Sequence, residues 1–450
     1  MTTKLNEEEL IKKAEQPGKD AMQLHPFYRG KVEIAPKCCV RDFNDFAIWY
    51  TPGVAKPCLD IRDNPENVYE HTNKANFVAV VSDGTRVLGL GDIGPEAGMP
   101  VMEGKAILFK YLGGVDAFPI CVDTKDPDEL IDFVLKLQPT FGGINLEDIS
   151  QPKCFRVLDT LREKARIPVW HDDQQGTAAV TVAGLINALK IVGKKINEVK
   201  LVMHGSGASN IAITRLIIAA GADPKKMILL DSKGTLHTGR DDLKDRFIQK
   251  WHYCQTTNGE NIVGTAADAI KGADVLISLS KSGPGVIAPE LIASMGNDAI
   301  VFVCANPVPE IWPWEAKEAG ARIVATGRSD FPNQVNNSLG FPGIFRGTLD
   351  VMATTITDEM CIAASYELAK CAEDKGMHED YLIPTMDEWD VFPREAVAVG
   401  QKAIEQGVAR IKMSPEEALK VAETAIRRAR EQYSVLFENG IIPAPPEPGA

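Results

Sequence analysis

At 450 residues the chain exceeds the length at which a single hydrophobic core stops growing, so two domains are expected, each with a substantial apolar interior. The formal charge is −13 and Lys and Arg are nowhere concentrated into a stripe, which argues against a nucleic-acid partner, because phosphates demand a basic face. Nine scattered cysteines, adjacent only at Cys38 and Cys39 and without a Cys-x-x-Cys pair, argue against a disulfide framework or a zinc site. They read as buried thiols in a reducing compartment.

The amino terminus has no apolar signal core, and no run approaches the roughly 18 apolar residues of a membrane span. A soluble cytoplasmic protein without membrane association is expected. From Asn6 to about Cys39 a helical pattern gives way to a polar, proline-marked one, which suits an arm packed on a neighbouring subunit or on its own domain. Such an arm makes a homodimer the default assembly. Apolar strand-like runs follow at 77–81, 117–122, 143–146 and 167–170, separated by helical stretches such as 127–137 and 154–165. The alternation predicts a mostly parallel sheet, and these segments form a first domain over 1–172. From Asp173 a long amphipathic run reaches Val192, with Asp172 or Asp173 as its amino-terminal cap, and this helix should bridge the two domains.

The second domain, 173–360, carries strand-like runs at 199–203, 227–230, 275–279, 299–303 and 322–325 with helices between them, the pattern of a doubly wound nucleotide fold. The remainder, 361–450, reads as helices, including 415–432, that pack back on the first domain before a Pro-rich end from Ile441. The fold class is therefore α/β in two domains, with a mostly parallel first sheet, a Rossmann-type second sheet and C-terminal helices packing back.

Two motifs carry chemistry. Glu147 and Asp148, and then Asp172 and Asp173, each end an apolar strand-like run, and oxygen ligands clustered at strand ends suit Mg²⁺ or Mn²⁺. Gly205-Ser206-Gly207-Ala208-Ser209-Asn210 begins where another strand ends and runs into a helix whose N–H groups can face a pyrophosphate. Asn210 stands where Gly or Ala normally lets helix and strand approach closely. Asp231, at the end of the next strand, lies near the position where an acid hydrogen-bonds the ribose hydroxyls; its alternative is a cap. An acid there favours NAD, while Lys233, Lys225 and Lys226 keep NADP open. A hard metal beside a dinucleotide site suggests hydride transfer.

Further segments fall into one pattern: Trp49-Tyr-Thr-Pro-Gly-Val-Ala, Ser82-Asp-Gly-Thr-Arg-Val-Leu-Gly, Pro100-Val-Met-Glu-Gly-Lys, Ile144-Asn-Leu-Glu-Asp, His171-Asp-Asp-Gln-Gln-Gly-Thr-Ala, Ala305-Asn-Pro-Val-Pro-Glu-Ile and Ala325-Thr-Gly-Arg-Ser-Asp-Phe-Pro-Asn-Gln-Val-Asn-Asn. Taken together, and in this order, they resemble the short, bacterial-type malic enzymes. The resemblance implies metal-dependent oxidative decarboxylation of L-malate to pyruvate and CO₂ with NAD or NADP. It implies Glu147, Asp148 and Asp173 as metal ligands, Lys105 as the base that takes the hydroxyl proton, and Tyr50 as the acid that protonates C3 of enolpyruvate. A lysine of ordinary pKa, about 10.4, is a poor base at neutral pH, so burial and nearby positive charge are expected to lower Lys105.

Arg86 has the planar fork for a malate carboxylate, with a salt bridge to Asp83 or Asp92 as its alternative. Asn306 and either Asn336 or Asn337 would complete substrate or nicotinamide recognition, and Asp172 would serve as a cap or stand behind the ligands. Two departures from the family pattern are Gln175, where histidine is common, and the Ser209-Asn210 pair. An oxaloacetate decarboxylase, a malate-to-lactate enzyme, or a non-catalytic nucleotide or malate sensor on the same scaffold are the competing readings.

Overall fold

The computed structural model of the protein describes residues 7–446. The first six residues of the expected signal-free amino terminus and the last four of the Pro-rich end lie outside the described residues. The first sheet consists of β1 (Phe77–Ser82), β2 (Asp116–Cys121), β3 (Gly143–Leu146) and β4 (Val169–His171) in the order β2-β1-β3-β4, all parallel. Its inner strands are apolar because helices cover both faces, so the alternation of a half-solvated strand is absent. Leu146 pairs with both Val81 and His171, so the residues after β3 and β4 emerge side by side at one sheet edge. This register is what brings the acids together.

The helix Pro127–Leu137 starts where expected. Pro127 opens it, and the Asp126 carboxylate accepts from the Asp128 and Glu129 amides. After β4 the chain makes a five-residue π-helical turn, Asp172–Gly176, and then the helix Thr177–Val192. Neither Asp172 nor Asp173 caps it, contrary to expectation: Asp172 is buried against Lys105, and an oxygen of Asp173 takes the Asp148 amide. The stretch Asp172–Val192 is long and apolar enough to cross a membrane by length and composition alone, although polar residues interrupt it and it is a core helix. Its apolarity has a different cause, since 78% of its most apolar window is buried inside the molecule.

The second sheet consists of β5 (Leu201–His204), β6 (Met227–Asp231), β7 (Gly234–Thr235), β8 (Val275–Ser278), β9 (Ala299–Val303) and β10 (Ala321–Thr326) in the order β10-β9-β8-β5-β6-β7. It is parallel except for β7, which runs antiparallel to β6. Strand order reverses between β5 and β8, and the crevice at that switch point is where such sheets bind ligands. The helix Thr177–Val192 follows the first sheet in the chain and packs against the second. Its Gly184 packs on Phe302 of β9, and the helix Asp358–Asp374 lies along it through Ser365 Oγ to Ala179 O, 2.8 Å.

The C-terminal helix Pro415–Glu438 packs back on the first-domain helix Pro95–Gly113, as anticipated. Contact is close enough that a Cβ on Gly114 would lie 2.7 Å from the Ala425 backbone, and the Tyr111 and Tyr433 rings meet edge to face at 5.6 Å. At the other end of the chain, the arm is a helix, Glu7–Tyr28, followed by an extended segment tethered to its own domain by Lys31 Nζ to Pro100 O (2.9 Å) and Lys37 Nζ to Asn73 Oδ1 (2.6 Å).

Candidate active site

Glu147 and Asp148 follow β3 directly, and Asp173 stands in the π-helical turn after β4. One carboxylate oxygen from each lies within 4.8 Å of the others. The Glu147 carboxylate is aimed by Asn145, whose Nδ2 donates to Oε2 at 2.8 Å, and the Asp148 N–H donates to Asp173 Oδ2 at 2.9 Å. Asp148 adopts a left-handed backbone, φ +54°, uncommon for a residue with a side chain. Its Oδ2 is buried without a hydrogen-bond partner. Burial raises all three acids, and repulsion from neighbouring acids adds to it at Glu147 and Asp148, the latter reaching about 7. An orphaned carboxylate oxygen among acids driven toward their neutral forms fits a hard divalent cation, which would relieve both conditions. Asp173 remains partly exposed, so the cluster opens to one side.

Lys105 lies on the inward face of the helix Pro95–Gly113 and is only 8% exposed, so it is no surface lysine. Its Nζ is 2.5 Å from Asp172 Oδ2, 3.2 Å from Glu147 Oε1 and 4.4 Å from the centre of the Phe341 ring. Burial pulls its pKa down, but Asp172 and Glu147 together outweigh burial and hold it above the ordinary value. Among the described residues the charges that act most on Lys105 are acids, not the positive neighbours expected from the sequence. Asp172 thus acts as counter-ion to Lys105, with Trp170 Nε1 on its other oxygen at 3.3 Å. Gly176 is required beside it, since a Cβ there would sit 1.9 Å from Asp172 Oδ1. His171, fully buried with neither ring nitrogen hydrogen-bonded, is pushed by burial to about 4 and stays neutral.

Arg86 makes neither of the salt bridges considered for it: Asp83 pairs with Lys153 and Asp92 with Lys125. Its guanidinium is exposed, and its charge lowers the pKa values of Asp148 and Asp173, which places it beside the cluster. Asn306 is exposed at the carboxyl end of β9, and its carbonyl faces Gly89 of the first domain across the cleft. Of the adjacent pair, Asn336 turns its oxygen onto Ser338 N–H and Oγ–H, whereas Asn337 abuts Gly176 of the π turn. Tyr50 stands apart. It is 72% exposed, and among the described residues its hydroxyl has no hydrogen-bond partner and contacts none of these acids.

On the nucleotide side, Gly205 has φ +95° and a Cβ there would lie 2.7 Å from Leu279 O, so the turn after β5 demands glycine. Gly207 begins the helix Ala208–Ala219, and the space beside its Cα is open. Ser206 Oγ is buried without a partner, Ala208 and Ser209 are partly buried in the helix's first turn, and the Asp172–Gly176 turn packs against that helix. Asn210 turns its amide N–H groups to the backbone. Fully buried, it donates to His204 O and Gly205 O at 3.0 and 2.8 Å, stapling the helix to the turn. These open amides at a helix amino terminus fit a pyrophosphate.

Family models for the malic enzyme N-terminal domain and the malic enzyme NAD-binding domain match residues 29–162 and 174–404. The chain belongs to the malic enzyme family. It is 50% identical to the bifunctional malic/malolactic enzyme of Bacillus subtilis over 402 residues, covering 88% of this chain and 96% of that one. It is 50% identical to the NAD-dependent malic enzyme of Geobacillus stearothermophilus over 382 residues, 85% of this chain and 78% of that one. An NADP-dependent malic enzyme of Halomonas elongata is 44% identical over 85% of this chain and 92% of its own. The crystal structure of the Entamoeba histolytica malic enzyme superposes with a TM-score of 0.96 at 54% identity, covering 99% of this chain and 93% of that one.

In this malic enzyme fold the two departures have local roles. Gln175 accepts the His171 N–H at 3.0 Å, and Asn210 replaces a small residue with two hydrogen bonds. Sequence reasoning missed Asn145 and Glu310. Asn145 sits two residues before Glu147 and faces the same side of the strand, a period-2 signal that was available. Glu310 is fully buried and accepts from Ser278 Oγ (2.7 Å), Ser280 N (3.0 Å), Ser280 Oγ (3.4 Å) and Ala305 N (3.2 Å), joining the loops after β8 and β9. Nothing local in the sequence marks those contacts.

Proposed function

We propose that this protein oxidatively decarboxylates L-malate to pyruvate and CO₂ with reduction of a nicotinamide dinucleotide, using Mg²⁺ or Mn²⁺. The observation that carries the reading is the cluster of Glu147, Asp148 and Asp173, with Lys105 against it, in a malic enzyme fold. These three acids hold the cation, and the Gly205–Ser209 turn holds the dinucleotide. When bound, the cation supplies Lewis acidity at the C2 oxygen and the dinucleotide supplies the hydride acceptor. Lys105 takes the hydroxyl proton of malate. A Glu147 engaged as a ligand no longer neutralises the Lys105 ammonium, so the amine's hold on its own proton weakens toward the range a base needs. Asp172 keeps the amine in place. Arg86 pairs with a malate carboxylate, and the amides of Asn306 and Asn337 orient substrate and nicotinamide, with Asn336 fixing the turn that carries Asn337.

Tyr50 delivers the proton to C3. Its exposure supports delivery to a second copy of the chain, because it lies in a run of exposed apolar residues, Phe43, Phe46, Ile48, Trp49 and Val54, which a twofold dimer would bury. Nine free thiols, of which Cys38, Cys39 and Cys58 are exposed and not buried as expected, support a reducing, cytoplasmic location.

Purified protein mixed with L-malate, Mn²⁺ and either NAD⁺ or NADP⁺ should form reduced coenzyme and pyruvate, and thorough chelation should stop both. Lactate without net coenzyme reduction would establish the malate-to-lactate alternative, and turnover that survives chelation would remove the cation from the scheme.

A further inference from the structure

Met386 stands on a loop built to hold it. Glu388 accepts the Thr385 N–H at 2.7 Å and the Tyr381 hydroxyl at 2.8 Å and pairs with Lys375 at 2.7 Å. Asn333 accepts the Leu382 N–H at 2.9 Å, and Asn187 donates to Leu382 O at 2.9 Å. The Met386 sulfur is thereby set 2.7 Å from Ser338 Oγ, and that hydroxyl also lies 2.8 Å from Asn336 Oδ1. Ser338 is buried, whereas Met386 is partly exposed. A hydroxyl has one proton to give, so the two acceptors compete for it. A thioether accepts weakly and an amide oxygen well, which leaves the proton on Asn336. There it joins the Ser338 N–H, 3.0 Å away, in closing the turn 336–339. That turn carries Asn337, which abuts Gly176, and runs into the helix Phe341–Asp350, whose Phe341 ring lies 4.4 Å from Lys105 Nζ.

We propose that Met386 is a modification site, at which hydrogen peroxide converts the thioether to a sulfoxide and so loosens the turn that orients malate. The inference rests on the reading that Asn337 and Lys105 serve malate, and adds a control to that site. A sulfur lone pair attacks one peroxide oxygen. The S–O bond forms, the O–O bond breaks, and the proton of the transferred oxygen leaves with the departing hydroxide as water. Sulfur is oxidised and the peroxide reduced by the same electron pair. The product is polar where the thioether was apolar, and its oxygen accepts hydrogen bonds strongly. It takes the Ser338 hydroxyl proton, so Asn336 Oδ1 is left with the backbone N–H alone. Asn337 and Phe341 then lose a fixed footing.

Treating the protein with hydrogen peroxide and then with excess dithiothreitol, which returns disulfides and sulfenates to thiols and leaves sulfoxides, tests this by peptide mass spectrometry and malate kinetics. Met386 should gain one oxygen atom, and KM for malate should rise about fivefold or more. NADH affinity is set on β5 and β6, by the Gly205 turn and by the Asp231 that Arg240 holds at 2.8 Å. It should change by less than about twofold, whereas a general loosening of the fold would weaken malate and NADH alike. Met386→Leu should turn over like the untreated wild type and keep its KM through the same treatment. Met386→Gln, which places an amide oxygen where the sulfoxide oxygen would stand, should show the raised KM without peroxide. Three results would each overturn the proposal: Met386 still a thioether when the exposed Met22 and Met99 are oxidised, an equal rise of KM in the leucine variant, or a wild-type KM in the glutamine variant. Absence of malate turnover before any treatment would overturn the malate reading beneath it.

Discussion

Glu310 is a buried carboxylate ringed by four donors, two of them backbone N–H groups, one on each oxygen. A glutamine that keeps its carbonyl in the place of Oε1 turns its NH₂ group toward the Ala305 N–H, so Glu310→Gln should lose on the order of 1–3 kcal/mol in urea unfolding and loosen NADH, because the loop after β9 loses its anchor to the loop after β8. Lys105→Met keeps the length of the side chain and removes the amine. It should lower kcat at saturating malate by about 10²-fold or more, and unchanged turnover would sink the assignment of the base. The legibility of these residues follows the range of their contacts. Glu147, Asp148 and Asp173 were readable because each follows an apolar strand run within a few positions. The counter-ion of Lys105 was not, because Asp172 lies 67 residues along the chain and only the packing of a helix on a sheet brings the two together.

The helices Phe341–Asp350 and Val391–Glu405 cross so closely that a Cβ on Gly347 would lie 2.1 Å from Ala396 O, and one on Gly343 would lie 2.0 Å from Glu395 Oε2. Glu395 is sealed in this crossing, with neither oxygen hydrogen-bonded. Burial, with the nearby Glu367 charge, drives its pKa well above the ordinary carboxylate value. The folded protein thus keeps a proton that the unfolded chain releases, so stability is fully present at acid pH and falls as pH rises past the unfolded value. Each unit of pH over which the acid stays protonated costs about 1.4 kcal/mol. Glu395→Gln should therefore raise the melting temperature at pH 8, with the difference vanishing near pH 4.5, the ordinary carboxylate value. Among the elements, the helix Pro127–Leu137 was legible from its Asp126 cap and Pro127 start. Strand β7 was not, because two residues carry no periodicity. The expected cap on the helix Thr177–Val192 failed because the buried pairing of Asp172 with Lys105 took precedence over local helix chemistry.

For the molecule as a whole, the division into two sheets was visible in the alternation of apolar runs, while the order β10-β9-β8-β5-β6-β7 was not, since crossovers and not adjacency in sequence decide which strands pair. Assembly is the next level. A charged residue at Phe43 or Trp49, both exposed within one chain, should shift the protein toward monomer in analytical ultracentrifugation and abolish turnover. Mixing inactive Tyr50→Phe and Lys105→Met subunits should restore about a quarter of wild-type activity when the phenol crosses the twofold axis, and none when it serves its own chain. The helix at the centre of the fold has a consequence for the life of the chain as well. The largely apolar Asp172–Val192 stretch is kept from water by the helices and sheets that enclose it, and heating removes that enclosure and bares its apolar surface. Thermally opened molecules should stick to one another before they can close again, so the working lifetime of the protein at high temperature is governed by how rarely it opens.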